Sequence, residues 1–318
     1  MNTVERSFRL EAREGLGPRP RPELIGPILT GLRDTMLDSV RMGFLHSSRA
    51  RGRVPAQLQA AADTRFLGHS ATGDNTTLLH FELPTLGDAA PDAFRQRPLW
   101  EDGPRADQTA FDLLAASLRD VAARRGDSSR FDTGLLKRFS RYRKLFVAPR
   151  HLDRIALVEQ GVDVPAFLDR MVTQAASELS AAIPPVQRVR IVGRLDVLGA
   201  SQGLMKIAVE PGAVVIALWE GEGSIETLRD LFNREVVIEG KAVFRPSGSL
   251  LRVDASAIAA AAKGDAYFRR VPAAIVATDT SRLLRLKIGE RSAYEKILGR
   301  IPAEETDEEF LAAVEAMS

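Results

Sequence analysis

Between residues 187 and 258 apolar and polar positions alternate in short runs, and turn residues separate the runs. In QRVRIVGRLDVLGAS, Val189, Ile191, Leu195 and Val197 share one face, while Arg188, Arg190, Arg194 and Asp196 take the other. LMKIAVEPGA and VVIALWEG read as two further strands, SIETLRDLFN as a helix, and REVVIEGKAVFRP and SLLRVDASAI as a last strand pair. Gly193 interrupts the apolar face where a small barrel must coil sharply. Ser224 is placed to cap the helix, with Ile225, Leu228 and Phe232 as its buried stripe and Phe232 as its anchor in the core.

Three strands, a helix and two strands is the order of an OB barrel. Together with the glycine-bearing first strand and the final hairpin through Phe244-Arg-Pro-Ser-Gly-Ser, this stretch resembles the OB-folds of the anticodon-binding type. The resemblance implies a five-stranded barrel with the helix between strands three and four. It leaves two uses open, nucleic-acid binding and protein docking. An SH3-like or other small barrel is the competing architecture.

Upstream the period changes from two to that of a helix. Ser7–Arg13 alternates as a strand, Pro18, Pro20 and Pro22 mark an extended connector, and a helix is expected over Glu23–Leu45. A short helix at Gln57–Asp63 and a hairpin of Thr64–Ser70 with Thr76–Leu83 follow. Proline and glycine punctuate a connector at 84–107. Three helices are then expected, over Gln108–Arg125, Asp132–Val147 and Val164–Ala182. The last would be capped by Asp163, carry Pro165 in its first turn and set Phe167/Leu168, Met171, Ala175, Leu179 and Ile183 near one stripe. The expected fold class is α+β. It comprises a small α+β domain over 1–100, a helical region over 101–185, the barrel over 186–260 and an extended tail over 261–318 ending in an acidic helix.

Composition narrows the class without naming a reaction. The chain has no cysteine, which removes disulfides, thiolate metal ligands and cysteine nucleophiles and favours a cytoplasmic setting. MNTVERSFRLEARE has no apolar core of a signal peptide, and the longest apolar block, Ala255–Ala262, is far short of the ~20 residues of a membrane span. The net charge of +2 conceals segregation. Arg119–Arg154 holds eleven Lys/Arg against four acids, whereas six acids and no Lys or Arg follow Arg300. Such asymmetry reports partners or intramolecular docking of the acidic tail on the basic segment, rather than fold.

Catalytic signatures are weak. The four histidines, His46, His69, His80 and His151, show no ligand spacing, so neither a metal nor a cofactor is expected. Gly221-Glu-Gly-Ser could offer helix amides to a phosphate, but Glu220 and Glu222 would repel it, and a loop with a cap is the plainer account. His80 and Glu82 in LLHFEL share a strand face and are the starting point for a hydrolase, against a merely half-exposed polar face.

Binding signatures are stronger. The barrel carries nine Lys/Arg and nine acids, and Trp219 is its candidate stacking ring. In FDTGLLKRFSRYRKLFVAPR the apolar residues fall at helical spacing, and Lys137, Arg138, Arg141, Arg143 and Lys144 occupy the remaining surface, able to meet phosphates, anionic lipid or an acidic partner. ILGRIPAEETDEEFLAAVEAMS resembles the ends of small bacterial antitoxins paired with PIN-type ribonucleases, which implies a protein partner gripped by Phe310, Leu311, Val314 and Met317. The expected function is a non-catalytic binding protein, an adaptor or regulatory subunit. Single-stranded nucleic-acid binding through the basic helix and barrel face is the alternative, and a hydrolase is the third.

Overall fold

A computed structural model of the chain describes residues 2–12, 22–49, 54–95, 103–147, 152–159, 165–199, 203–209, 212–221 and 225–274. Period-two alternation builds the first layer. β1 (Thr3–Ala12) turns Phe8 and Leu10 to one side, both fully buried, and Ser7, Arg9 and Glu11 to the other. α1 (Pro22–Leu45) buries Ile28, Leu32, Met36 and Val40 at four-residue spacing. The short helix α2 (Ala56–Ala61) leads to the hairpin of β2 (Arg65–Gly73) and β3 (Thr76–Pro84). The connector expected at 84–107 is partly helical. Thr85 caps a single turn, α3 (Leu86–Ala89), and α4 (Pro91–Arg95) follows. α5 (Ala110–Ala122) opens on a capping box of Thr109 and Asp112, and α6 (Thr133–Arg141) on the N-cap Asp132. α6 tightens into a 3-10 turn over Tyr142–Leu145.

Two strands occur where the sequence pattern gives a loop and a helix. Leu152–Val158 is β4, and Ala166–Asp169, expected as the first turn of a helix, is β5. Pro165 precedes an extended run in which Ala166 and Leu168 are buried and pair with Leu157 and Ile155. α7 (Arg170–Ala182) starts only after Asp169, whose carboxylate accepts the Val172 N–H at 2.8 Å. The expected cap, Asp163, lies outside the described residues, and Met171, expected in the buried stripe, is 67% exposed. The five strands form one antiparallel sheet ordered β2-β3-β1-β4-β5. Its strands come from both sides of residue 100, and a single core joins Phe8, Ile28, Leu79, Phe111, Leu136 and Leu179.

The second layer closes on itself. β6 (Gln187–Gly199), β7 (Leu204–Val209), β8 (Ala213–Trp219), β9 (Glu235–Phe244) and β10 (Leu250–Ala260) form a barrel in the order β10-β8-β7-β6-β9. β10 runs parallel to β8 and the other neighbours are antiparallel, compatible with an OB-like fold. Ile191, Leu195, Ile207, Val215, Ile238 and Val253 fill the interior. A Cβ on Gly193 would collide with the Ala208 carbonyl oxygen, so the strand coils there only because the side chain is missing. The expected helix is a 3-10 helix over Ile225–Leu231, and Ser224 lies outside the described residues. Leu228 is buried, but Phe232 is 52% exposed and anchors nothing in the core. Three residues per turn, instead of 3.6, take a side chain four positions on off the buried row.

The barrel borders the sheet-and-helix layer through both apolar and polar contacts. Val243 and Leu251 belong to the first core. The Ser247 N–H donates to the Gly126 carbonyl at 3.2 Å, and the Ser249 hydroxyl donates to Asp127 Oδ1 at 3.2 Å. Arg252, almost wholly buried, donates from Nε to Asp254 at 2.8 Å and from Nη1 to the His46 carbonyl at 2.9 Å. His46 ends α1 in the left-handed region (φ 52°), its N–H bonded to the Met42 carbonyl. Burial, with Lys206, Arg245 and Arg252 nearby, lowers its pKa to about 4, so the ring is neutral at pH 7.

That shift has a defined consequence for stability. In the unfolded chain the imidazole takes a proton near pH 6.5, and in the folded chain only near 4. The contribution of the neutral ring is therefore complete above pH 6.5 and is lost as the pH falls toward 4. Urea denaturation from about pH 7 to about pH 4.5 should show a steeper loss of stability for the wild type than for His46→Asn. Parallel profiles for the two proteins would contradict this account of His46.

Candidate nucleic-acid interface

Asp132 sets the direction of the basic helix. Its Oδ1 accepts the Leu135 N–H at 3.0 Å, and Ser48 donates to the same carboxylate from its hydroxyl at 2.5 Å and its backbone N–H at 3.0 Å. From that cap onward Leu135, Leu136, Phe139, Tyr142 and Leu145 are buried, which leaves the solvent side to the residues between them. Tyr142 locks the turn to α1. Its hydroxyl lies 2.8 Å from Thr35 Oγ1, and burial raises its pKa. A Cβ on Gly31 would stand 2.8 Å from that hydroxyl, so the ring reaches α1 only over a glycine.

Four of the five predicted cations face solvent. Lys137, Arg141, Arg143 and Lys144 are exposed, and none has an acidic partner among the described residues. Lys137, Arg141 and Lys144 follow one another at i, i+4 and i+7, which aligns them along one side. The fifth is placed differently. Arg138 turns inward, with Nε on Asp38 Oδ2 at 2.5 Å and Nη1 on Asp34 Oδ2 at 3.4 Å. Burial raises the Asp38 carboxyl above its usual range, although Arg138 pulls the other way. Arg138 therefore serves to hold α6 on α1.

Sequence reasoning missed what lies opposite. Lys137 and Arg141 form one wall of a groove of about 470 Å³, and Ser177, Ser180 and Ala181 of α7 form the other. The Ser177 and Ser180 hydroxyls have no hydrogen-bond partner among the described residues. Their spacing of three residues on the polar side of α7 was a signal, but only the packing of α7 against α6 gives it meaning.

Trp219 ends β8 half-buried, with its ring against the barrel core and its backbone N–H donating to the Gly203 carbonyl at 2.8 Å. The outward positions of β7 and β8 are Leu204, Lys206 and Ala208, with Val214, Ile216 and Leu218, and they hold no aromatic ring. His80 and Glu82 do share the outer sheet face but serve different partners. His80 Nε2 lies 2.8 Å from Ser70 Oγ, its Nδ1 lies 3.0 Å from Ser7 Oγ and 3.3 Å from Glu5, and Glu82 accepts the Thr3 hydroxyl at 2.8 Å. This hydroxyl–imidazole–carboxylate chain stands on the outer sheet face, where the Glu5 side chain is 60% exposed. Phe310, Leu311, Val314 and Met317 lie outside the described residues.

Among the described residues no three His, Asp or Glu side chains converge to hold a metal ion, and no helix is long and apolar enough to cross a membrane. Comparison with protein-family models, curated proteins and solved structures finds no match to the chain.

Arg138→Ala should separate structure from binding. Leaving Asp38 buried without its partner costs roughly 3 kcal/mol, read as a lower urea midpoint. Affinity for an oligonucleotide, measured where the variant is folded, should stay within about twofold of the wild type. An unchanged midpoint with weakened binding would return Arg138 to the interface.

Proposed function

We propose that the protein is a non-catalytic binding protein that holds single-stranded nucleic acid by its phosphate backbone, along the groove between α6 and α7. The observation that carries this is the pair of cations Lys137 and Arg141 facing the Ser177 and Ser180 hydroxyls across the groove, all four unpaired among the described residues, with Arg143 and Lys144 exposed further along the same segment. A phosphodiester satisfies both sets at once, as a charged acceptor for the cations and a hydrogen-bond acceptor for the hydroxyls. The resemblance of the barrel to anticodon-binding OB-folds supports the ligand class, while its outward strands, lacking rings, contribute support rather than stacking.

A protein partner engaged through the acidic tail is the second proposal. Its support is the run of six acids after Arg300 beside the apolar set Phe310, Leu311, Val314 and Met317.

Fluorescence titration of single-stranded DNA and RNA at several salt concentrations tests the first and places the second. Four phosphate contacts to a single strand give a slope of log K against log salt of about −3, and the triple reversal Lys137→Glu, Arg141→Glu, Lys144→Glu should flatten it to near zero. Truncation after Arg300 should leave the affinity unchanged. Binding weaker than ~10⁻⁴ M at low salt rejects the proposal, since even non-specific binding would be missing. Loss of binding on truncation would put the ligand contacts in the tail.

A further inference from the structure

A second cavity, of about 710 Å³, opens between the last turns of α1, residues 103–108, α5 and the loop Arg125–Arg130. Its volume lies in the range of small-molecule sites. Met42, Pro104, Leu113 and Ala116 give it an apolar wall, and Arg125, Ser129 and Arg130 a polar rim.

The rim is organised by a buried acid. Asp120, whose side chain is 4% exposed, accepts Arg125 Nη1 on Oδ1 at 3.1 Å and Arg130 Nη1 on Oδ2 at 2.7 Å. The Ser128 hydroxyl completes its shell at 2.7 Å. Each arginine thus gives one nitrogen to Asp120 and keeps Nε and Nη2 unpaired among the described residues, on side chains 65% and 55% exposed. Two guanidiniums fixed to one carboxylate stand side by side and carry a net positive charge. Their four unpaired nitrogens offer more donors than the two oxygens of a carboxylate ligand can use, whereas a phosphate monoester brings three acceptor oxygens. Of the other charges on the lining, Arg105 pairs with Asp107, and Asp127 keeps its negative charge but is turned to the barrel hairpin, where it accepts the Ser249 hydroxyl.

The site is also built in advance. The Ser117 hydroxyl donates to the Arg130 carbonyl at 3.0 Å, the Arg125 N–H to the Asp120 carbonyl at 2.9 Å, and the barrel hairpin holds Gly126. The inner wall carries His46, in a left-handed conformation that glycine would adopt without strain, with a buried Nδ1 that has no hydrogen-bond partner among the described residues. A buried nitrogen left without a partner calls for an explanation, and a bound ligand supplies one.

We infer that this cavity binds a small phosphate monoester of nucleotide size, with the phosphate between Arg125 and Arg130 and the body against Met42 and Leu113. The inference is independent of the basic groove.

The test uses the full chain with two probes, inorganic phosphate and adenosine monophosphate, at constant ionic strength. Calorimetry and thermal unfolding should show both binding, the nucleotide more tightly because it also buries its body. The double variant Arg125→Ala, Arg130→Ala should weaken the nucleotide about tenfold or more, whereas Lys137→Ala with Arg141→Ala should leave it unchanged. If the first variant does not fold, amide shifts of Ser128–Arg130 and the His46 ring resonances in the wild type read the same contact. No binding of either probe at about 10 mM overturns the inference. So does binding that survives the loss of both arginines, that vanishes with Lys137 and Arg141, or that leaves the Ser128–Arg130 and His46 signals unmoved.

Discussion

Arg252 comes from the barrel and ends among groups of the other layer. Its Nε is held by Asp254 of its own strand, its Nη1 donates to the carbonyl of His46, and the same nitrogen stands 3.6 Å from Asp132. Asp132 is in turn the N-cap of α6 and the acceptor of two Ser48 hydrogen bonds. One carboxylate therefore fixes the start of the basic helix and meets the cation that seats the barrel. A buried guanidinium is tolerable only with its donors met, so the barrel has one orientation in which Arg252 is satisfied. The His46 carbonyl is presented by the left-handed turn that ends α1, which is why the same residue also reaches the cavity wall.

From that fixed point the cations divide by geometry. The apolar row of α6 must face inward, and Arg138 lies close enough to it to reach Asp38 and Asp34 on α1. Lys137 and Arg141 lie on the far side, across a groove from two serines of α7, and Lys144 is exposed beyond them. A basic segment that looks uniform along the chain thus does two jobs, one of docking and one of display. The loop at Arg125–Arg130 repeats the pattern around Asp120, where the buried acid holds two arginines without exhausting their donors.

The barrel was readable because its strands bury one face, and alternation survives in the sequence. β4 was not, because Ile155, Ala156 and Leu157 are all fully buried, and a strand covered on both faces loses its period. β5 is four residues long, too short for any period to show, and its leading proline suits a helix start equally well. The exposed cations of the groove were visible as a class, but Arg138 finds its carboxylate 100 positions away and Arg252 finds His46 206 positions away. No local pattern encodes such pairs. Ser177 and Ser180 gain significance only from the helix that packs beside them.

The central claim is that the ligand lies along the α6–α7 groove and not on the outer strands of the barrel. Amide hydrogen exchange of the full chain, with and without a saturating short single-stranded oligonucleotide, tests it most directly. Slowed exchange should be concentrated in Thr133–Leu145 and Arg170–Ala182, with Leu204–Val209 and Ala213–Trp219 unchanged. Protection confined to those two barrel strands, or none at saturation, would contradict it.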